Sequence, residues 1–208
     1  MSKCDIFVDF DGTITDVDTF NALVRVHGGD AEWNAIECEL LAGRMTLRDA
    51  LRREAALVRL SRPDALAFLE ANATVDPTFK PFLDRVRAAG ATVRVVSSGI
   101  RTVIHDALRR AGVEIEVLAN DVDFNAQGWS MSFIDDSANG HDKAAHVRAA
   151  RAQGRHTIFV GDGMSDYEAS LEADRRFAKA GRRLLDFCRA RGVECTPFSS
   201  FAEIDRAL

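Results

Sequence analysis

The sequence predicts an α/β protein built on a doubly wound parallel sheet with an inserted helical block, and three observations predict it. Short apolar runs alternate with helix-patterned stretches of ordinary length. Several of those runs stop in polar, Gly-containing sequence. The stretch 15–75 shows helix signals throughout and no period-2 alternation. The predicted division is an α/β core of residues 1–14 and 76–208 and a helical cap of residues 15–75, folded over the working edge of the sheet.

Residues 5–10 are apolar up to Asp-Gly-Thr, as a buried first strand ending in a tight loop would be. Asp18, Asp30 and Thr46 then suit the starts of helices that end near Gly28-Gly29, Gly43 and Leu60, and Pro63 suits the first turn of a fourth reaching Asn72. After Pro77 a helix closes at Gly90. A strand over 91–96 follows, ending in Ser97-Ser98-Gly99, then a helix to Gly112, a strand over 114–119 and a small hairpin between Asn125 and Phe133. Lys143 opens a helix ending near Gly154, and a strand over 156–160 stops at Gly161-Asp162-Gly163. A helix from about Ser165, a short strand near Phe177 and helices around Leu184 and Ile204 complete the chain.

With 208 residues, 47% of them apolar, the chain can bury its own core. The net charge of −5, with basic residues interspersed among acids, argues against nucleic acid. The four cysteines have no ligand-like spacing and read as reduced thiols. No stretch has the length of a membrane span and the N-terminal apolar run is too short for a signal peptide, so a cytoplasmic protein is expected, as monomer or homodimer.

In a parallel sheet all strand ends lie on one side, so Asp9 and Asp11, Ser97-Ser98-Gly99, and Asp162 with Asp166 should meet in one cleft, with Lys143 reaching it from a helix start. Cleaving a phosphate monoester needs a nucleophile, an acid for the leaving alcohol and positive charge on the phosphoryl oxygens. The carboxylates would repel a phosphate dianion, which calls for a hard cation with oxygen ligands, Mg²⁺. Gly12 and Gly99 are read as leaving N–H groups free for phosphate, with the Ser97 hydroxyl and the Lys143 ammonium beside them. Lys143 stands out because only four lysines occur against twenty-three arginines.

Asp-Phe-Asp-Gly-Thr, Val-Val-Ser-Ser-Gly, Lys143 and Gly-Asp-Gly-Met-Ser-Asp, in that order, resemble the four motifs of the haloacid dehalogenase (HAD) superfamily over nearly the whole chain. The resemblance implies a Rossmann-like core in which Asp9 attacks phosphorus while Asp11 protonates the leaving oxygen and later activates water. It implies Mg²⁺ on the Asp9 carboxylate, the Asp11 backbone carbonyl and Asp162, with Asp166 a ligand or an anchor behind them. Ser97, Ser98, Gly99, Gly12 and Lys143 would hold the phosphoryl group of a small phosphorylated metabolite. The acid at Asp11 selects phosphatases and some phosphomutases over dehalogenases.

A helical insertion at this place resembles the branch with phosphoserine phosphatase, phosphocholine/phosphoethanolamine phosphatases and the methionine-salvage phosphatase acting on 2-hydroxy-3-keto-5-methylthiopentenyl-1-phosphate. Asp18 falls where phosphoserine phosphatases carry a substrate-contacting Glu, and Glu54 where they carry a carboxylate-binding Arg, with Arg52 or Arg53 as substitutes in a shifted register. The runs Thr-Asp-Val-Asp-Thr-Phe and Pro-Phe-Ser-Ser-Phe-Ala-Glu-Ile lean toward the methionine-salvage type.

Each reading has a structural counterpart. Asp18, Ser97 and Asp166 also suit helix caps, and Phe20, Trp33 and Met45 are core or pocket residues. His141 reads as a surface turn more than as a site residue, and the other histidines read as structural. The rival from another class is a phospho-receiver binding module, but such domains are much shorter and place the phosphorylated Asp after a later strand.

Overall fold

A computed structural model describes residues 4–208. Strand β1 (Cys4–Val8) is apolar on both faces, with Ile6, Phe7 and Val8 all buried, as a parallel strand covered by helices requires. It pairs in parallel with β2 (Thr92–Ile100) and with β5 (His156–Gly161), Val8 lying opposite both Val95 and Val160. Beyond β2 come β3 (Glu116–Asp123) and the antiparallel β4 (Ser130–Ser132). Beyond β5 come β6 (Arg175–Lys179) and β7 (Thr196–Phe198). The order β4-β3-β2-β1-β5-β6-β7 reverses direction at β1, so the binding crevice opens at the carboxyl ends of β1, β2 and β5.

Helices α5 (Phe79–Ala88), α6 (Arg101–Arg110) and α10 (Phe201–Ala207) bury Phe79, Phe82, Ile104 and Phe201 against Ile6, Val8 and Val95 on one face. Helices α7 (Lys143–Ala152) and α8 (Tyr167–Glu172) cover Phe7, Val96 and Phe159 on the other, while α9 (Arg183–Ala190) packs Leu184, Leu185 and Cys188 beside Ala178 of β6.

Between β1 and α5 lie α1 (Thr19–Leu23), α2 (Asp30–Leu41), α3 (Leu47–Leu57) and α4 (Arg62–Asn72). The side chains of Asp18, Thr46 and Ser61 accept hydrogen bonds from the N–H groups of Asn21, Asp49 and Asp64, capping α1, α3 and α4. An antiparallel bridge between Thr15 and Val75 brings the two ends of this block together.

Four local expectations change. Strand β2 does not stop at Val96 but continues to Ile100, with a register shift against β3 between Ser97 and Ile100 that turns the motif into the crevice. The first helix breaks after Leu23 into a π-helical stretch, Val24–Gly28. Strand β3 runs on to Asp123 and is itself one arm of the hairpin with β4. The three-residue strand β7 has no counterpart among the elements that the sequence predicts.

That hairpin holds the helical block down. Trp129 is 1% exposed among Leu51, Ala55 and Val103; its backbone N–H donates to Ala55 O and Val58 O, and its indole N–H donates to Leu60 O at 2.8 Å. Truncating a buried Trp of this kind costs about 3–5 kcal/mol.

Candidate active site

Asp9 stands where β1 ends, its N–H donating to Val160 O, and the chain then folds back on itself as Ile14 N and Thr15 N donate to Phe10 O. Gly12 sits at φ 72°, and a Cβ there would lie 2.5 Å from Asp162 Oδ2, so this turn needs glycine for both reasons. Its N–H is not free for phosphate, since it donates to Val17 O and Thr15 Oγ1. At Gly99 a Cβ would collide with Asp11 Oδ2, and its N–H is likewise not free for phosphate, since it donates to Ser97 Oγ at 2.9 Å. Asn120 Nδ2 donates to Ser98 O at 2.8 Å and steadies the bulge.

The Lys143 ammonium is buried in a carboxylate clamp. It donates to Asp9 Oδ1 and Asp166 Oδ1, each at 2.7 Å, and to Ser165 Oγ at 3.0 Å. Burial alone would lower its pKa, but Asp166 and Asp9 push it above the usual lysine range. Asp166 is fully buried and its other oxygen accepts from the N–H groups of Asp162 and Gly163 at 2.9 and 3.0 Å. Its oxygens are therefore engaged by the protein, which suits an anchor behind the metal-binding groups.

Asp9, Asp162 and Asp166 offer carboxylate oxygens that all lie within 4.8 Å of one another. Burial, followed by the charge of Asp166, holds Asp9 well above the ordinary carboxyl range and pushes Asp162 up to about 7. One ammonium does not balance three such acids. The donor set, all oxygen and partly uncompensated, fits a hard divalent cation such as Mg²⁺.

The Asp11 side chain stands apart from this cluster. Its Oδ1 accepts from Thr19 N at 2.9 Å and Thr19 Oγ1 at 2.5 Å. Burial raises its pKa against those hydrogen bonds, which favours the protonated form that a general acid needs.

Above these groups is a cavity of about 300 Å³ lined by the core residues Asp9, Asp11, Ser97, Ser98, Gly99 and Asp162. From the helical block come two sets: Phe20, Trp33, Leu40, Leu47 and Leu51, which are apolar, and Asp18, Asn21, Glu37 and Glu54, which are polar. Asp18 both caps α1 and lines the cavity, and burial, then the charge of Asp11, raises it well above its ordinary value. Met45 lies outside the lining and packs against the cluster of Ile36, Leu40 and Ala50.

Sequence reasoning misjudged His141 and missed two arginines. His141 is 1% exposed, not in a surface turn. Burial lowers it to about 4, so the neutral ring donates Nδ1–H to Ser97 O at 2.9 Å and accepts from His146 Nε2–H at 2.9 Å, bracing the Ser97 bulge. Arg182 and Arg183 line the cavity from the start of α9, and Arg183 reaches Glu37 of α2 at 3.5 Å. Their signal is weak, a pair among twenty-three arginines. Neither Arg52 nor Arg53 lines the cavity: Arg52 pairs with Asp49 at 2.8 Å, and Arg53 reaches the Met45 sulfur at 4.0 Å.

The family model for haloacid dehalogenase-like hydrolases matches residues 6–170. Pdp3-interacting factor 1 of Schizosaccharomyces pombe is 34% identical over 98% of this chain and 93% of its own length. Polyol phosphate phosphatase PYP1 of Saccharomyces cerevisiae is 30% identical over 98% and 92%. A 2-hydroxy-3-keto-5-methylthiopentenyl-1-phosphate phosphatase of Microcystis aeruginosa is 30% identical over 100% and 98%. A solved phospho-aspartyl intermediate analogue of phosphoserine phosphatase superposes with a TM-score of 0.78 at 20% identity, covering 100% of both chains, a likeness of fold.

Proposed function

Because this chain belongs to the haloacid dehalogenase-like hydrolases, we propose that it is a Mg²⁺-dependent phosphatase acting through phosphorylation of Asp9. Its substrates are small phosphate monoesters of uncharged, hydroxyl-bearing alcohols, with polyol phosphates first. The observation that carries the chemistry is the single cavity that joins Asp9, held by Lys143, with Asp11, Ser97 and Asp162. In this reading residues 15–75 work as a cap over a core of 1–14 and 76–208.

Lys143 fixes Asp9 Oδ1 and so orients the carboxylate, leaving Oδ2 to attack phosphorus. As the P–O bond to the leaving group breaks, Asp11 gives its proton to the departing alkoxide. Thr19 holds the Asp11 carboxyl in place for that transfer. Asp11, now ionised, takes a proton from water as the water oxygen attacks phosphorus, and the bond to Asp9 breaks to release inorganic phosphate. Asp9, Asp162 and the Asp11 carbonyl would hold Mg²⁺, which when bound offsets the charge of the phosphoryl oxygens. Ser97 Oγ holds those oxygens from the protein side, whereas the Lys143 ammonium, its three N–H groups engaged by Asp9, Asp166 and Ser165 and not in the cavity lining, contributes its charge from behind Asp9 rather than the direct contact expected of it.

Three features support an uncharged leaving group. Glu54 stands in the cavity and Arg52 and Arg53 do not, so a substrate carboxylate would be buried there without a cation of the helical block to pair it. The yeast relative is named for polyol phosphates and is similar over nearly the full chain. No buried cation of the helical block faces the cavity. A second reading, the methylthio-ketopentenyl phosphate, draws on the apolar wall of Trp33, Leu40, Leu47 and Leu51, which suits a thioether tail. Among the described residues no helix is long and apolar enough to cross a membrane. The free thiols support a cytoplasmic setting.

Phosphate release from a metabolite panel, with Mg²⁺ and with EDTA, tests the reading. Polyol phosphates should exceed phosphoserine, EDTA should abolish turnover, and acid-quenched Asp11→Asn protein should yield a phosphorylated Asp9 peptide. Metal-independent turnover, or a phosphoserine preference, would sink it.

A further inference from the structure

On α3 the structure places an acid that the protein does not use. Glu54 is 3% exposed and lines the cavity, and its carboxyl group has no hydrogen bond or ion pair with any described residue. Its oxygens are not among the fully buried side-chain atoms left without a partner, so they open onto the cavity, where a ligand can take the place of water as the missing partner. Nearby groups are spoken for. Asp18 accepts from Asn21 N and Nδ2, Glu37 is paired with Arg183, and Asn21 Oδ1 accepts from Trp33 Nε1.

We propose that Glu54 is the specificity-determining residue of this site, its carboxyl group hydrogen-bonding a hydroxyl of an uncharged leaving group in preference to leaving groups that carry a carboxylate. The inference rests on the phosphatase reading above and names the group that selects within it.

The surroundings decide between a hydroxyl and a cationic head group. Burial, with a smaller contribution from Glu37, pushes the Glu54 carboxyl up to about 8, so near neutral pH it is mostly protonated and both donates and accepts. Asp18, raised by burial and by Asp11, is held toward the same neutral state. Neutral acids match a chain of hydroxyls. An ammonium head would require both to ionise in a cavity that Leu40, Leu47 and Leu51 make partly apolar. The two cavity cations, Arg182 and Arg183, stand on the core side, and Arg183 is already engaged with Glu37. A substrate carboxylate, even with a hydrogen bond from a protonated Glu54, would be buried without a cation of the helical block to pair it.

The test uses the full Mg²⁺-loaded chain as wild type, Glu54→Leu and Glu54→Gln, with sorbitol 6-phosphate, phosphoserine and phosphoethanolamine, plus p-nitrophenyl phosphate for the wild type. Glu54→Leu should raise KM for the polyol phosphate roughly tenfold with kcat within about threefold, shrinking its preference over phosphoserine. Glu54→Gln, whose amide also donates and accepts, should keep most of the wild-type preference. Because Leu removes an unpartnered buried acid, Glu54→Leu should melt higher than wild type, which a merely structural glutamate would not allow.

A polyol-to-phosphoserine ratio unchanged within about twofold in Glu54→Leu would overturn the proposal. So would a Glu54→Leu protein that melts lower, a Glu54→Gln protein no better than Glu54→Leu, or a wild type that prefers phosphoethanolamine. Wild type without Mg²⁺-dependent turnover of p-nitrophenyl phosphate would instead bring down the phosphatase reading. Turnover of that ester with a preference indifferent to residue 54 would bring down this inference alone.

Discussion

The floor and the wall of the cavity hold carboxyl groups of similar burial in different states. On the floor, Asp166 has Lys143 on one oxygen and the N–H groups of Asp162 and Gly163 on the other, and Asp9 shares the same ammonium. On the wall, Glu54 is as buried and meets no donor among the described residues. A floor whose side chains are already held in place can act on any phosphoryl group with little rearrangement, as preorganised electrostatics demands. A wall with an open hydrogen-bonding group has its last partner supplied by the leaving group. The chemistry is thus separated from the choice of substrate, and the two can be broken independently.

The largest effect should come from the floor. Asp9→Asn should lower turnover by roughly 10⁴-fold or more while circular dichroism stays that of the folded protein, because it removes the attacking oxygen and little packing. Lys143→Met comes next. It leaves Asp9 and Asp166 facing each other without their shared cation, and should cost about 3–5 kcal/mol in denaturant unfolding of the metal-free protein.

The wall should respond in the opposite direction, and with pH. The folded Glu54 carboxyl binds its proton more tightly than the unfolded one, about 8 against an ordinary 4.5. Its favourable contribution is therefore complete below about pH 4.5 and is lost as pH rises toward 8. Glu54→Gln does not titrate, so its stability relative to wild type should climb across that window, by on the order of 2 kcal/mol or more at the top. Melting curves at closely spaced pH would show a flat difference if the floor–wall contrast were false. The smallest effect belongs to the bridge between the two regions. Arg183 and Glu37 are joined at 3.5 Å with the arginine side chain half exposed, so Arg183→Gln should change stability by less than about 1 kcal/mol.

The alternation of apolar runs with helical stretches was enough to predict the parallel sheet, because a strand covered on both faces must be apolar on both, as Ile6, Phe7 and Val8 are. The cap signals at Asp18 and Thr46 were equally legible, since a helix start is a local hydrogen-bonding event. Strand β7 escaped notice because three residues carry no periodicity. The π-helical break after Leu23 and the bulge beyond Ser97 depend on neighbours distant in sequence.

The acids, serine and lysine of the floor could be picked out of the sequence because strand ends of a parallel sheet converge by topology, whatever surrounds them. Residue identity and order alone therefore determined the class of chemistry. Whether a side chain is partnered is a different kind of fact. That His141 is buried and braces Ser97, that the Gly12 N–H is already engaged, that Trp129 pins the helical block, and that Glu54 lines the cavity without a partner among the described residues were decided only by packing. Burial and hydrogen-bond satisfaction are set by groups brought together from far along the chain, and no local pattern encodes them.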